Sequence, residues 1–220
     1  MKDLIIYGSG SIGRLVEHII FDINQEKKTW HILGYIDDDK NLHEKEISGY
    51  PVLGDLSVLK KINSVSVVLA MGNPKSRFQA YKIINENYNV DFPSLIHPTA
   101  ILSRRVNIDE GTIIYPGIVV DVDVEIGKFN ILNKLVTIGH DTKISNFCII
   151  SPGVNIGGNV FIGDGVEMGI NSSTIQNINI GNWSVIGAGC AIIRNILPNT
   201  VNVGVPSKII RNLPENWHLE

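Results

Sequence analysis

The sequence predicts two folds in one chain: an α/β domain over residues 1–94 and an all-β domain, a left-handed parallel β-helix, over residues 95–220. Three observations carry this. The first third alternates short apolar runs with segments of helical spacing. A glycine-rich turn follows the first apolar run. From Ile96 onward an apolar residue recurs at every sixth position.

In the N-terminal third, Asp3–Tyr7 reads as a short strand and Gly8-Ser9-Gly10-Ser11-Ile12-Gly13 as a turn. Arg14 to about Asn24 has helical spacing, with Leu15, Ile19, Ile20 and Ile23 on one face. His31–Ile36 is a second strand, closed by Asp37-Asp38-Asp39. Ser66–Ala70 is a third, followed by Gly72-Asn73-Pro74 and a helix from Lys75 to Tyr88. This β-α-β order implies a parallel sheet with helices on its faces, a Rossmann-like arrangement.

The six-residue step runs Ile96, Leu102, Ile108, Ile114, Val120, Ile126, Leu132, Ile138, Ile144, Ile150, Ile156, Ile162, Met168, Thr174, Ile180, Ile186, Ile192. Sixteen of these seventeen positions are Ile, Leu, Val or Met, and Thr174 alone departs. A strand has period two and a helix 3.6, so neither explains a strict six over 97 residues. Hexapeptide repeats mark a β-helix, in which each repeat is one short flat face plus a corner. Three faces close one triangular coil, so five to six coils are expected, about 4.8 Å apart. Gly, Asn and Asp suit corners where the backbone visits left-handed dihedrals. No register slip interrupts the pattern, so no long loop is expected to leave the coils.

Composition narrows the function classes. A net charge of −3 gives no basic surface for nucleic acid and no polybasic membrane patch. No run of about 20 apolar residues exists to span a membrane. Leu4–Tyr7 is too short for the apolar core of a signal peptide. Cys148 and Cys190 form no Cys-x-x-Cys pair and have no histidine cluster beside them, so neither a metal site nor a disulfide is expected. Both fall at the inward second position of a repeat, where a small buried thiol packs. The expectation is a reduced, cytoplasmic protein.

The sequence resembles the bacterial nucleotide-sugar acetyltransferases that join a Rossmann-like domain to a left-handed β-helix. The carriers are Ile5-Ile6-Tyr7-Gly8-Ser9-Gly10, Gly34-Tyr35-Ile36-Asp37-Asp38, Gly72-Asn73, Ile96-His97-Pro98-Thr99-Ala100, Gly139-His140-Asp141 and Gly204-Val205-Pro206-Ser207-Lys208. Their order and spacing cover almost the whole chain. That family contains N-acetyltransferases of nucleotide-linked 4-amino-4,6-dideoxy sugars and sialic acid O-acetyltransferases. The resemblance therefore implies transfer of an acetyl group from acetyl-CoA to a sugar amine, with transfer to a sugar hydroxyl as the alternative. It also implies a homotrimer with sites between subunits.

Acetyl transfer to an amine needs a base, because an ammonium has no lone pair with which to attack. Past its opening turn the β-helix holds a single histidine, His140, at a corner, followed by Asp141. The resemblance makes His140 the general base and Asp141 its orienting partner. It gives the cleft of the α/β domain to the nucleotide, with Gly8, Ser9 and Gly10 as backbone contacts. Asp37 and Asp38 would then meet base or ribose, beside the loop of Gly72 and Asn73. A strand, Gly8-x-Gly10-x-x-Gly13 and an acidic pair also fit a dinucleotide site, but the domain is too short for a complete hydride-transfer domain. Acetyl-CoA is expected along a groove between neighbouring β-helices, at Gly157, Gly158, Gly187 and Gly189, with Lys208 near a phosphate. Asn133, one face before His140, is a candidate sugar contact. The chain departs from the family at Ile12 and Ile149, where histidines are usual, so the acceptor contacts differ from those of the best-known members.

Overall fold

The computed structural model describes residues 1–62 and 64–219. The chain divides into two compact units, Met1–Pro98 and Thr99–Glu220.

In the first unit, β1 (Lys2–Tyr7), α1 (Ser11–Glu26) and β2 (Trp30–Ile36) are followed by a two-residue hairpin, β3 (Glu46–Ile47) and β4 (Tyr50–Pro51). β5 (Ser66–Leu69) and α2 (Pro74–Asn87) complete it. The main sheet is parallel, with β1 between β2 and β5. Leu4, Ile5 and Ile6 of the central strand are fully buried, as a strand covered on both faces requires. α1 buries Gly13, Val16, Ile19 and Ile20, one face of a 3.6-residue period. Leu15 and Ile23, expected on that face, sit half-buried at its edges. α2 starts where a helix should: Pro74 occupies the first turn, and the Asn73 side chain accepts from the amides of Lys75 and Ser76 at 2.8 and 3.3 Å.

The second unit is a left-handed parallel β-helix of two-residue strands and four-residue corners. Its register repeats every eighteen residues. Ile101 pairs with Val119, Val119 with Thr137, Thr137 with Asn155, Asn155 with Ser173 and Ser173 with Ala191. A second ladder runs through Asn107, Glu125, Lys143, Phe161 and Asn179. A third runs through Ile113, Ile131, Ile149, Glu167 and Val185. The second residue of each strand points inward, so Ile126, Leu132, Ile138, Ile144, Ile150, Ile156, Ile162 and Met168 form one buried column system.

Thr174, the exception to the repeat, has a reason. The Gly157 amide donates to its hydroxyl at 2.9 Å, where the equivalent amide of Gly139 goes to the Ile156 carbonyl. The threonine replaces a ladder bond.

Corners fall in three columns with positive φ. Arg105, Asp123, Asp141, Asn159 and Asn177 form one of them. Asp and Asn tolerate the left-handed region better than other non-glycine residues, which is why they recur there. Both cysteines are fully buried, and Cys148 donates to the Gly163 carbonyl with a sulfur-to-oxygen distance of 3.0 Å.

The repeat stops after Ile192. The remaining chain forms an antiparallel hairpin, Thr200–Val203 with Lys208–Asn212, whose first strand continues the third ladder beside Val185 and Ile186. In the sequence this stretch reads as a tail. Its strands escape a six-residue search because Val201 pairs with Val185, sixteen residues on where the coils use eighteen, and the second strand returns antiparallel. The end is held by Trp183, whose ring stacks on His218 at 4.2 Å.

Because the coils share one core, a cavity in it removes contacts in three successive coils. Ile150→Ala is expected to cost about 2–5 kcal/mol, whereas Leu197→Ala, at a side chain that is 61 % exposed, should stay within about 0.5 kcal/mol. Urea denaturation of both variants checks the contrast.

Candidate functional site

Two sets of residues with chemical potential emerge, one in each unit. The first lies at the edge of the small sheet where β1, β2 and β5 all end, the edge at which open α/β sheets bind ligands. Three loops converge there: Gly8–Gly10, Asp37–Asp39 and Met71–Asn73. The Gly8 amide donates to the Ile36 carbonyl at 2.9 Å. Gly8 has φ of +102, and a Cβ on it would lie 3.1 Å from the Ala70 carbonyl oxygen. Gly13 is bound just as tightly, since a Cβ there would stand 2.0 Å from the Gly8 oxygen. Helix and turn touch backbone to backbone, as the third glycine of such a motif requires.

Asp37 and Asp38 end β2 as expected, but both carboxylates have partners within the chain. Asp37 Oδ2 accepts from the Ser9 hydroxyl at 2.6 Å and the Ser9 amide at 2.9 Å, and its Oδ1 accepts from the Asp39 amide at 3.0 Å. Partial burial pushes this carboxyl up. The Ser9 side chain and the Ser9 and Asp39 amides outweigh that and hold it below the usual aspartate value. Asp38 Oδ2 accepts from the Tyr7 hydroxyl at 2.7 Å. Burial first, and Asp38 second, push the Tyr7 phenol up, so it remains a hydrogen-bond donor. His43 Nε2 lies 2.8 Å from the Asp37 carbonyl oxygen.

Sequence reasoning missed Tyr7, His43 and Arg77. Arg77 is fully buried in α2, and its guanidinium donates to the carbonyls of Met71 and Gly72 at 2.5 and 3.2 Å. It fixes the third loop from behind. A lone arginine on a helix gives no sign in sequence that it turns inward.

The two helices that start at this edge differ. α2 is capped by Asn73. α1 begins at Gly10 with no side-chain cap and no acidic residue in its first turn. Its first amides and its positive dipole end are therefore available to an anion.

The second set is on the β-helix. The corner after the strand Thr137–Ile138 carries His140 and Asp141. His140 Nδ1 and Asp141 Oδ2 are 2.7 Å apart, and both side chains are well exposed. A carboxylate only accepts, so Nδ1 carries the proton and, in the neutral ring, Nε2 is the base. Asp141 occupies the left-handed corner position with φ of 58, and its amide is held by the Val122 carbonyl at 3.2 Å. The His140 carbonyl accepts from the Asn159 amide at 2.7 Å. The backbone of the pair is thus fixed by the coil on each side. One coil away, Arg105 clasps Asp123 through two bonds, at 2.5 and 2.7 Å.

A groove of about 190 Å³ opens beside Asp141, lined by Lys143, Asn159, Val160, Phe161, Asn177 and Asn179. A larger one, about 440 Å³, lies on the same face around Glu125, Lys143 and Phe161.

The other predicted residues are more scattered. Gly157 and Gly158 lie one coil above Gly139 and His140. Gly187 is packed under Val203, and Gly189 is an open left-handed corner with φ of +65. Lys208 is exposed at the start of the hairpin strand. Asn133 stands at the preceding corner of the coil that holds His140, and its side chain accepts from the neighbouring Lys134 amide at 2.9 Å. Ile12 lies in the first turn of α1, and Ile149 faces outward on the third ladder. Among the described residues, no group of three His, Cys, Asp or Glu could hold a metal ion, and no helix is long and apolar enough to cross a membrane.

Residues 3–84 match the PglD N-terminal domain family. The whole chain has the fold of the bacterial nucleotide-sugar acetyltransferases. It superposes on the acetyltransferase domain of PglB from Neisseria gonorrhoeae FA1090 with a TM-score of 0.85 and 25 % identity, covering 96 % of this chain and 100 % of that one. That PglB domain is also known in complex with acetyl coenzyme A. The fold is shared with PerB from Caulobacter crescentus, solved in complex with CoA and GDP-perosamine, at a TM-score of 0.85 and 23 % identity over 96 % of this chain and 98 % of that one. Over 53 residues, 24 % of the chain, it is 48 % identical to a Saccharomyces cerevisiae protein described as an acetyltransferase, matching 27 % of that protein. The chain spans about a quarter or less of the length of the curated relatives it matches.

The Asp37 network yields a prediction with a sign. Its carboxyl is depressed in the folded protein, so its contribution is complete above the ordinary aspartate pKa and fades as pH falls through that value toward the folded one. Asp37→Ala, which leaves the Ser9 hydroxyl and two amides without their acceptor, should cost about 1–2 kcal/mol at neutral pH. The gap in Tm between wild type and variant should narrow below about pH 4. Thermal unfolding at stepped pH tests this, and a gap that widens in acid would refute it.

Proposed function

We propose that the protein is an acetyl-CoA-dependent N-acetyltransferase acting on the 4-amino group of a nucleotide-linked 4-amino-4,6-dideoxy sugar. The observation that carries this is the His140–Asp141 pair, an imidazole with Nδ1 anchored at 2.7 Å on an exposed β-helix corner. The fold it shares with the PglB acetyltransferase domain supports the reading.

His140 Nε2 removes the proton from the sugar ammonium, or from the amine as it attacks. Asp141 stabilises the imidazolium that results. The amine nitrogen bonds to the thioester carbonyl carbon, the carbon–sulfur bond breaks, and CoA leaves as thiolate and takes a proton. No covalent acetyl-enzyme is required, because the amine attacks directly. Both cysteines are fully buried and play no part.

The α/β unit holds the nucleotide. Gly8, Ser9 and Gly10 offer backbone amides at the uncapped start of α1 to the diphosphate. Asp37 and Asp38 act chiefly by shaping that turn through Ser9 and Tyr7, and Gly72 and Asn73 close the far side. Acetyl-CoA runs past the corners of Gly157, Gly158, Gly187 and Gly189, with Lys208 for a phosphate. Gly189, where a Cβ would meet nothing within 4 Å, offers an open approach. Asn133 contacts the sugar. The assembly is a homotrimer. Ile101, Val119, Leu135 and Ile170 are exposed along one edge of the prism, a suitable seam between copies.

The test is a thiol-release assay with acetyl-CoA and a panel of UDP-, GDP- and dTDP-linked amino sugars. Turnover is expected with at least one of them, and His140→Ala should lower kcat by about 10²–10⁴. Full activity in His140→Ala, or silence across the panel, overturns the proposal.

A further inference from the structure

We infer that Gly158 is a positioning residue for His140, and that the glycine is there to leave room for the imidazole. This rests on His140 being the base proposed above.

Side chains eighteen residues apart lie one above another. The column containing His140 therefore reads Arg104, Val122, His140, Gly158, Gln176. Arginine, valine and glutamine all fit this outward corner position, so the fold does not require glycine there. Backbone conformation does not require it either, because the left-handed residue of that corner is Asn159, with φ of 54.

Neighbouring glycines are different. A Cβ on Gly139 would stand 2.6 Å from the Gly158 amide nitrogen, and one on Gly157 would stand 2.7 Å from the Gln176 amide nitrogen. Those two pack against the backbone of the next coil, not against a side chain. A Cβ on Gly158 would instead meet the ring of His140, at 2.7 Å from Nε2, 2.9 Å from Cε1 and 3.1 Å from Cδ2. All three nearest atoms belong to that ring. Only the histidine one coil below demands the glycine.

The imidazole is thus set from two sides. Asp141 holds Nδ1 at 2.7 Å, and the bare Cα of Gly158 forms a shelf over which Nε2 lies. A methyl group on the shelf pushes the ring off it. The cheap response is a turn about χ1 or χ2, which breaks the Nδ1 bond and re-aims Nε2. A displacement of about 1 Å at a base can cost about 100-fold in rate.

The test uses the full chain with Gly158→Ala, His140→Ala and the double variant. In Gly158→Ala, kcat should fall about 10–100-fold, beyond any rise in KM for acetyl-CoA from the cofactor path proposed above. In the His140→Ala background the same methyl should change kcat little, because the ring it displaces is gone. Equal losses in both backgrounds, or a loss confined to KM for acetyl-CoA, overturn the inference and leave Gly158 as a cofactor contact alone.

Histidine-selective ¹⁵N spectra give a reading that needs no turnover. Wild type should show His140 as the Nδ1–H tautomer bound to carboxylate, and Gly158→Ala should lose that signature. An unchanged His140 signal overturns the inference even if the acetyltransferase proposal stands. If Gly158→Ala is unstable, the double variant, which has room for the methyl, should recover the lost Tm. Failure to recover it refutes the clash.

Discussion

The eighteen-residue register of the β-helix is the constraint on which the rest of that unit depends. Each two-residue strand bonds to the strands one coil above and one coil below, so every residue has fixed neighbours at eighteen positions either way. The apolar column follows from this, because an inward residue touches its own kind in successive coils. So do the corners, where the chain turns only by placing one residue in the left-handed region. The chemistry follows too. His140 is exposed, on a corner that by itself gives the ring no fixed pose. Its orientation comes from Asp141 beside it and from the coil above. A rigid repeat supplies what a loop could not: an imidazole, the base proposed above, whose neighbours are set by backbone hydrogen bonds.

The small sheet solves a different problem. Its three strands are too few to bury a large site, so precision comes from polar contacts at the strand ends. Ser9 gives both its hydroxyl and its amide to Asp37, and Tyr7 reaches Asp38. Arg77 braces the third loop from within α2. These groups use their hydrogen bonds on one another and leave the start of α1 without a cap. An unsatisfied helix start is tolerated where a ligand supplies the partner, and it is the strongest local argument for an anion at this edge.

Much of this was legible in the sequence, for physical reasons. A strict period of six can be satisfied by few folds, so the β-helix could be read from Ile, Leu and Val alone. The β-α-β segments followed from apolar spacing and punctuation by Gly and Pro. His140 stood out as the single histidine of the coils past their opening turn, and the family resemblance suggested its role as base. What stayed hidden was set by tertiary direction. Asp37 and Asp38 were located at the end of the right strand, but their turn toward Ser9 and Tyr7 depends on loops distant in sequence. The hairpin after residue 199 joins the third ladder at sixteen residues where the coils use eighteen, then returns antiparallel, and so leaves no six-residue trace. Thr174 read as a flaw in the repeat until its hydroxyl was found to accept the Gly157 amide.

Gly158 shows where the boundary between the two kinds of information lies. In sequence, Gly157-Gly158 is one more pair of small residues at a corner, and both members have the same standing. The register separates them. Gly157 faces the backbone of the next coil. Gly158 faces a side chain, in a column whose other members are large. Two adjacent glycines thus face different things, one the backbone of the next coil and one the histidine below it. In a periodic fold, a residue smaller than its column tolerates points to whatever occupies the vacated space. Here the occupant is the proposed base, so the glycine belongs to the chemistry as much as to the corner.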